Sequence, residues 1–328
     1  MLIDNHNRVV DYLRLAVTDR CNLRCNYCMP AEGIDFADRK DLLSLDELFS
    51  LSKILVEQGI RKIRITGGEP FMRKDLMQLL RKLKTLPELE DISITTNATL
   101  IGDHIEELKS LGIKNINVSL DAIQEETFNK ITRRKQFKVV QKNLYRLIEE
   151  GFTVKINYIV LDEQNIQDMI PVLNTLVKDY PVAVRFLEEM PFNGGSKTFQ
   201  SIKWNHKKIY DYISENFKNI TPLISEKTST SNNYKIEGYK GSFGIIPSFT
   251  RNFCGSCNRL RVTATGDVIT CLYAQASTNL RDILRSPFAE KTVRYEILKA
   301  VGSRAKDGYE AEAKSDKIFS NSMTSIGG

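Results

Sequence analysis

The sequence predicts an α/β fold: a parallel sheet curled into an incomplete (β/α)6 barrel, followed by a C-terminal extension. Three observations carry this. Strand-like and helix-like segments alternate six times between residues 12 and 187, with short connections, which is the pattern of a parallel sheet. At 328 residues the chain can bury a full core, and it fits one large domain plus a smaller one. The chemically unusual residues then cluster at strand C-terminal ends: a cysteine run, Gly67-Gly68-Glu69, Thr95-Thr96-Asn97, Ser119-Leu120-Asp121 and Glu188-Glu189-Met190. Period alone does not separate an open sheet from a barrel, but barrels build their sites at that face from several strands. Six units instead of eight leave such a barrel open on one side.

Taken in order, residues 1–11 are polar and read as an arm. Residues 12–17 form the first strand, and the cysteine loop runs on to about Asp41. Ser44-Leu45-Asp46-Glu47 is a capping box that opens a helix to about Gln58, with Gly59 as its stop. Strands follow at 62–66, 92–96, 115–120, 153–160 and 182–187. Helices fall at 74–84, 102–110, 124–131, 137–150 and 166–178. Residues 192–201 turn polar and glycine-rich and read as a loop before a helix at 204–217. A Ser/Thr/Asn-rich stretch, 225–233, reads as a linker or hairpin loop. Short strands at 234–239, 242–246, 260–264 and 268–272 follow, with a turn at 264–267. Residues 286–301 are helical, and the tail from Gly302 is polar and ends Gly327-Gly328. We divide the chain at residue 218, with 1–218 as the partial barrel and 219–328 as the C-terminal cluster and substrate-binding region.

All six cysteines fall into two triplets: Cys21, Cys25, Cys28 (C-x3-C-x2-C) and Cys254, Cys257, Cys271 (C-x2-C-x13-C). Structural zinc wants four protein ligands, whereas a 4Fe–4S cluster held by three cysteines keeps one iron open for a further ligand. The three histidines, His6, His104 and His206, are too scattered to complete either set convincingly. A cluster at each triplet is the economical reading, with the second outside the barrel proper; a zinc site borrowing a distant fourth ligand is the alternative. Arg259 and Arg261 follow Cys257. On a strand, residues two apart face one side, so their guanidiniums point together and suit phosphate or carboxylate. The net charge of +6 fits an anionic substrate or nucleic acid without choosing between them. No Walker A sequence is present, so a nucleotide is held some other way. No apolar run approaches a membrane span and the N-terminus lacks a secretory pattern, which points to the cytoplasm.

The first triplet, with Tyr27 just before Cys28, resembles the radical S-adenosylmethionine (SAM) enzymes. The resemblance then narrows to one family, the GTP 3′,8-cyclases, also called molybdenum cofactor biosynthesis protein A. It covers nearly the whole chain and rests on Leu13-Arg14-Leu15, Thr18-Asp19-Arg20-Cys21, Tyr27-Cys28-Met29-Pro30 and Ile63-Arg64-Ile65-Thr66-Gly67-Gly68-Glu69-Pro70. Asn117-Val118-Ser119-Leu120-Asp121-Ala122, Arg185-Phe186, the second triplet with Arg259-x-Arg261, and the terminal Gly327-Gly328 complete it.

That resemblance implies a TIM-type partial barrel of the radical SAM kind, two 4Fe–4S clusters and SAM. Cys21, Cys25 and Cys28 would hold the SAM-binding cluster. Tyr27 would lie beside the adenine, Gly68 would take the methionine amino group through its backbone, and Ser119 and Met190 would complete the SAM pocket. Cys254, Cys257 and Cys271 would hold the second cluster, whose open iron binds guanine. Arg14, Arg64, Thr95, Lys155, Arg259 and Arg261 would hold GTP, with Lys62 assisting. Arg185 is a candidate for a late redox or proton step. The implied reaction is a lyase reaction: a 5′-deoxyadenosyl radical removes the ribose 3′ hydrogen, and attack on guanine C8 gives (8S)-3′,8-cyclo-7,8-dihydroguanosine 5′-triphosphate. An electron donor is needed, and the product feeds a second enzyme, cyclic pyranopterin monophosphate synthase. No membrane or nucleic-acid partner is expected, and a homodimer is possible. The Gly327-Gly328 end would insert into the pocket.

Two positions depart from the family pattern. Ala16 stands where serine is common, and Ala98 where glycine is common, which bears on the Thr95 contact. The rival readings are another radical SAM enzyme with an auxiliary cluster, such as a peptide modifier, and a basic, zinc-stapled nucleic-acid-binding protein.

Overall fold

The computed structural model describes residues 1–192, 201–315 and 322–327. Six strands, β1 (Tyr12–Ala16), β2 (Lys62–Thr66), β3 (Asp91–Thr96), β4 (Asn115–Ser119), β5 (Thr153–Val160) and β6 (Ala183–Glu188), pair in parallel in chain order. Their alternate residues Leu13, Ile63, Ile94, Ile116, Ile156 and Val184 point outward and are buried beneath the connecting helices. The opposite set faces a lumen, as a two-residue side-chain period dictates.

Between the strands lie α1 (Leu45–Glu57), α2 (Leu76–Leu83), α3 (Ile105–Ser110), α4 (Glu125–Thr132), α5 (Phe137–Glu149) and α6 (Met169–Val172). The predicted capping box forms: the Glu47 amide donates to Ser44 Oγ at 3.2 Å and the Ser44 amide donates to Glu47 Oε2 at 2.7 Å. Gly59 follows at φ +114°, a conformation that suits glycine. The single helix expected over 166–178 is instead three windings. It is tight over Ile166–Asp168, regular in α6 and wide over Leu173–Val177, and Pro171 denies the middle a backbone donor.

The C-terminal part carries α7 (His206–Asn216), β7 (Ile220–Leu223), β8 (Asn232–Ile236), β9 (Ser242–Ile246), β10 (Arg259–Val262), β11 (Asp267–Ile269), β12 (Thr278–Asn279), α8 (Arg281–Leu284), α9 (Ala289–Gly302) and α10 (Gly308–Ala313). Two of these strands join the barrel: β9 pairs in parallel with β6, and β10 in parallel with β1. The sheet therefore runs β12-β11-β10-β1-β2-β3-β4-β5-β6-β9-β8-β7, and it is not closed. This corrects the placement of the second cysteine triplet outside the barrel, because β10 continues the sheet and its flanking cysteines sit at the barrel's N-terminal end.

Four elements were not anticipated: β7, β12, α8 and α10. The edge strand β7 contains Pro222, tolerated where no further strand needs its amide. The helix α10 is too polar to show an apolar stripe; Asp307 caps it by accepting from the Tyr309 and Glu310 amides, both at 2.9 Å.

Candidate active site

Strand register places the basic residues. Arg261, Arg14, Arg64 and Ser93 stand at one level across β10, β1, β2 and β3. Thr95, Asn117 and Lys155 form a second level, and Ser119, Asn157 and Arg185 a third. Arg259 and Tyr12 lie one step nearer the N-terminal end. Arg14, Arg64, Thr95, Lys155, Arg185, Arg259 and Arg261 all line one cavity of ≈ 760 Å³, together with Cys254, Cys257, Cys271 and Met190.

This concentration of cations is under strain. Arg14 Nε, Arg185 Nε and Arg259 Nη2 are buried without a hydrogen-bond partner among the described residues. Burial, then Arg261 and Arg64, push Arg14 well below the usual guanidinium range. Burial and Arg259 lower Arg261 to about 10, burial and Arg64 lower Arg185 to about 10, and burial with Arg185 and Arg64 lowers Lys155 to about 8. Buried unpaired charge is costly, and an anion between these groups removes the cost.

The first triplet sits on the loop leaving β1 at the opposite, C-terminal end. The stem of that loop lies flat on the end of β2: Gly68 N donates to Thr18 O at 2.9 Å and Glu69 N to Arg20 O at 2.8 Å. A side chain at either glycine is excluded, since a Cβ would lie 2.3 Å from Thr18 O at Gly67 and 2.3 Å from Arg20 O at Gly68. Glu69 is fully buried and accepts from Thr96 Oγ1, the Asn97 amide and the Phe71 amide. Burial nevertheless raises its carboxyl to about 7. Tyr27 donates to Asp121 Oδ2 at 2.7 Å, fixing the last cysteine turn against β4; burial raises Asp121 to about 6. Burial pushes the Cys21 thiol up to about 12 and raises Cys25 and Cys28. These sulfurs need a metal's positive charge to become thiolates.

The second triplet differs. Cys254 and Cys257 occupy the turn before β10, and Cys271 follows its antiparallel neighbour β11, so all three meet at the start of β10. Burial raises Cys254 and Cys271. At Cys257 burial also raises the thiol, but Arg259 and Arg304 outweigh it and bring it down to about 6. Among the described residues no three His, Cys, Asp or Glu side chains are placed to share a single metal ion. A mononuclear zinc draws its thiolates to about 2.3 Å from one centre. A cluster takes one cysteine per iron, and the cysteines of each triplet lie near enough to act on one another, so each triplet fits a cluster as a donor set.

The tail connects the two ends. Ser322 Oγ donates to Cys28 O at 2.8 Å, and five residues later Gly327 O accepts from Arg261 Nη1 at 2.9 Å. Gly327 passes so close to β1 that a Cβ there would lie 3.0 Å from Ala16 Cβ, leaving little room for a side chain larger than Ala16. Gly328 lies outside the described residues. Tyr27 lies on the cysteine loop, Gly68 just after β2 and Ser119 at the end of β4; these three and the first triplet itself do not line the cavity, whereas Met190 does. Sequence reasoning missed Tyr12, Asn117 and Asn157 in the lumen; alternation along β1, β4 and β5 was the available signal. It also missed Arg304 at Cys257, for which no local pattern exists.

Comparison with known proteins agrees with this layout. Residues 15–176 match the Radical SAM superfamily, and residues 182–310 match Molybdenum Cofactor Synthesis C. GTP 3′,8-cyclase of Listeria monocytogenes is 36% identical over 100% of this chain and 99% of its own length. The mitochondrial GTP 3′,8-cyclase of Arabidopsis thaliana is 37% identical over 100% of this chain and 84% of its own. Molybdenum cofactor biosynthesis protein 1 of Drosophila melanogaster is 38% identical over 93% of this chain, which spans about half (54%) of that longer protein. Among solved structures, Streptococcus suis SuiB bound to S-adenosylmethionine superposes with a TM-score of 0.60 at 15% identity, covering 88% of this chain and 68% of that one. Native anSMEcpe with bound AdoMet gives 0.57 at 15% identity, covering 94% and 95%. The fold, the two cysteine triplets and these full-length relatives place the chain in the GTP 3′,8-cyclase family of the radical SAM superfamily.

Proposed function

We propose that the chain is a radical SAM lyase that converts GTP into (8S)-3′,8-cyclo-7,8-dihydroguanosine 5′-triphosphate for molybdenum cofactor biosynthesis. The observation that carries this reading is the unsatisfied cation set, Arg14, Arg185 and Arg259, inside a cavity lined by the second cysteine triplet, with the loop of the first triplet leaving β1 at the far end of the strands. The five residues of β1 separate those ends by about 17 Å at ~3.3 Å per residue.

Cys21, Cys25 and Cys28 would hold one 4Fe–4S cluster, and Cys254, Cys257 and Cys271 a second. When bound, the first cluster and SAM supply one-electron chemistry that abstracts a substrate hydrogen. The chain's own residues bind and orient. The Gly68 amide is already used, so its carbonyl is the group that would accept from the SAM ammonium. Tyr27, Ser119 and Met190 would complete that pocket. Arg14, Arg64, Lys155, Arg259 and Arg261 would neutralise the triphosphate, with Thr95 as a hydroxyl contact. Guanidinium forks suit phosphate oxygens in pairs. Arg185, on the level of Ser119 and nearest the SAM end, remains the candidate for the late redox or proton step. An electron donor and a downstream cyclic pyranopterin monophosphate synthase complete the pathway, and a cytoplasmic setting suits the reduced thiols. Among the described residues no helix is long and apolar enough to cross a membrane.

The test is anaerobic incubation of reconstituted protein with GTP, SAM and a reductant. We expect 5′-deoxyadenosine together with a cyclised guanosine triphosphate. Deoxyadenosine without any GTP-derived product overturns the substrate assignment.

A further inference from the structure

The N-terminal arm and the start of the region after α9 form a buried ionic clamp on the second triplet. Arg304 has a side chain only 3% exposed, yet it is not paired to one carboxylate alone. Its Nη2 lies 3.4 Å from Cys257 Sγ and 3.3 Å from Arg259 O, and its Nη1 lies 3.2 Å from Cys257 O. One guanidinium thus grips both ends of the Cys257–Arg259 turn and reaches the sulfur itself.

Asp4 fixes that guanidinium in place. Its Oδ2 accepts from Arg304 Nη1 at 3.2 Å and from Arg8 Nε at 2.6 Å, and its Oδ1 accepts from the His6 and Arg8 amides, both at 2.9 Å. Arg8 in turn donates to Cys254 O at 3.0 Å, Lys306 O at 2.6 Å and Ala305 O at 2.7 Å. Two guanidiniums against one carboxylate leave a net positive charge buried beside the cysteine turn. Among the described residues the first triplet shows no such cation at its sulfurs: Asn97 Nδ2 lies 3.7 Å from Cys21 Sγ and Ser322 Oγ 3.8 Å from Cys28 Sγ, and the charged side chains acting on its thiols are the carboxylates Glu69 and Asp121.

Potentials of iron–sulfur clusters follow net charge and hydrogen bonds to sulfur, and outer partners of metal ligands tune them. We propose that Arg304, oriented by Asp4 and backed by Arg8, is a positioning residue that hydrogen-bonds the Cys257 sulfur and raises the reduction potential of the second cluster. This rests on the reading that the second triplet holds a cluster. A buried cation favours the more negative, reduced state, and low local dielectric magnifies the effect. The N-terminal arm is therefore part of the second metal site, not a loose extension of the barrel.

The experiment uses full-length protein with Cys21→Ala, Cys25→Ala and Cys28→Ala, so that only the second cluster is read, and follows EPR-monitored redox titration alongside iron analysis. The parent should bind about four irons. Arg304→Gln should move its reduction equilibrium about tenfold toward the oxidised form, ~59 mV for one electron. Arg304→Lys, which keeps the charge, should recover most of that shift. Asp4→Asn, which adds one net positive charge, should move the equilibrium the other way. A parent without iron overturns the cluster reading and this inference with it. A loaded parent in which Arg304→Gln leaves the potential unmoved, or in which Arg304→Gln and Asp4→Asn shift it in the same direction, overturns the inference alone. Equal loss of iron from Arg304→Gln, Arg304→Lys and Asp4→Asn marks a structural staple and also overturns it.

Discussion

Lys155 is a lumen cation whose charge is lost at an accessible pH. Burial, with Arg185 and Arg64 nearby, lowers it to about 8, while an unfolded lysine titrates near ~10.4. The unfolded chain therefore binds more protons between those values, and the lysine's contribution to ligand-free stability rises with pH across that window. Ligand binding has the opposite sense: above pH 8 the cation is lost. We expect GTP affinity, measured calorimetrically, to weaken by about tenfold between pH 7 and pH 9, the scale of one charge-assisted hydrogen bond. Lys155→Arg should flatten that profile, and a wild-type profile as flat as the variant's would remove Lys155 from the triphosphate site. Ala98 is a second residue-level case. It sits at φ +60°, where an L side chain costs roughly 1–2 kcal/mol. Its buried methyl returns about 0.8 kcal/mol, and glycine would add its own entropic cost. The near-balance explains how alanine stands where the family pattern has glycine. At this scale the sequence was highly legible, because cysteine spacing, Gly67-Gly68 and Arg259-x-Arg261 are written within a few positions. Arg304 was not, because its sulfur partner lies 47 residues away and its carboxylate partner 300.

Among elements, the end of β6 does more than its strand pattern announced. Glu188 is fully buried and accepts from the His206 amide at 2.6 Å, the Phe249 amide at 2.9 Å, and the Thr250 amide and Oγ1, both at 2.7 Å. One carboxylate thereby ties β6, the first turn of α7 and the segment leading to Cys254. Truncation to alanine strands several buried donors, each costing roughly 1–3 kcal/mol. Glu188→Ala should lose at least about 3 kcal/mol in denaturant unfolding, against less for Glu188→Gln; a loss under about 1 kcal/mol would show that water replaces the carboxylate. The run Glu188-Glu189-Met190 looked like one site cluster in the sequence, but its members separate: Glu188 staples elements, while Met190 lines the cavity. Strands were legible from alternation, and β2, β5 and β9 appear at the predicted bounds. Partners were not legible, because nothing local in 242–246 or 259–262 says that one strand will flank β6 and the other β1.

For the whole molecule, those two pairings mean that the C-terminal region seals both sides of the six-strand core. A fragment of residues 1–218 would expose the edges of β1 and β6, and bare edges of central strands invite intermolecular pairing. We expect that fragment to aggregate in light scattering, and a soluble monomer with native-like circular dichroism would show that the division at residue 218 is a true folding boundary. The consequence of β1 reaches further. This strand is a ruler of fixed pitch with a cysteine loop at each end, one its own and one carried by β10. Adding one residue would turn Arg14 out of the lumen, because a single-residue slip inverts every side chain; adding two would open the gap by about 7 Å and demand the same of each neighbour. The chamber's length is thus quantised, and a relative handling a larger or smaller molecule must change what stands in the chamber, leaving its height alone.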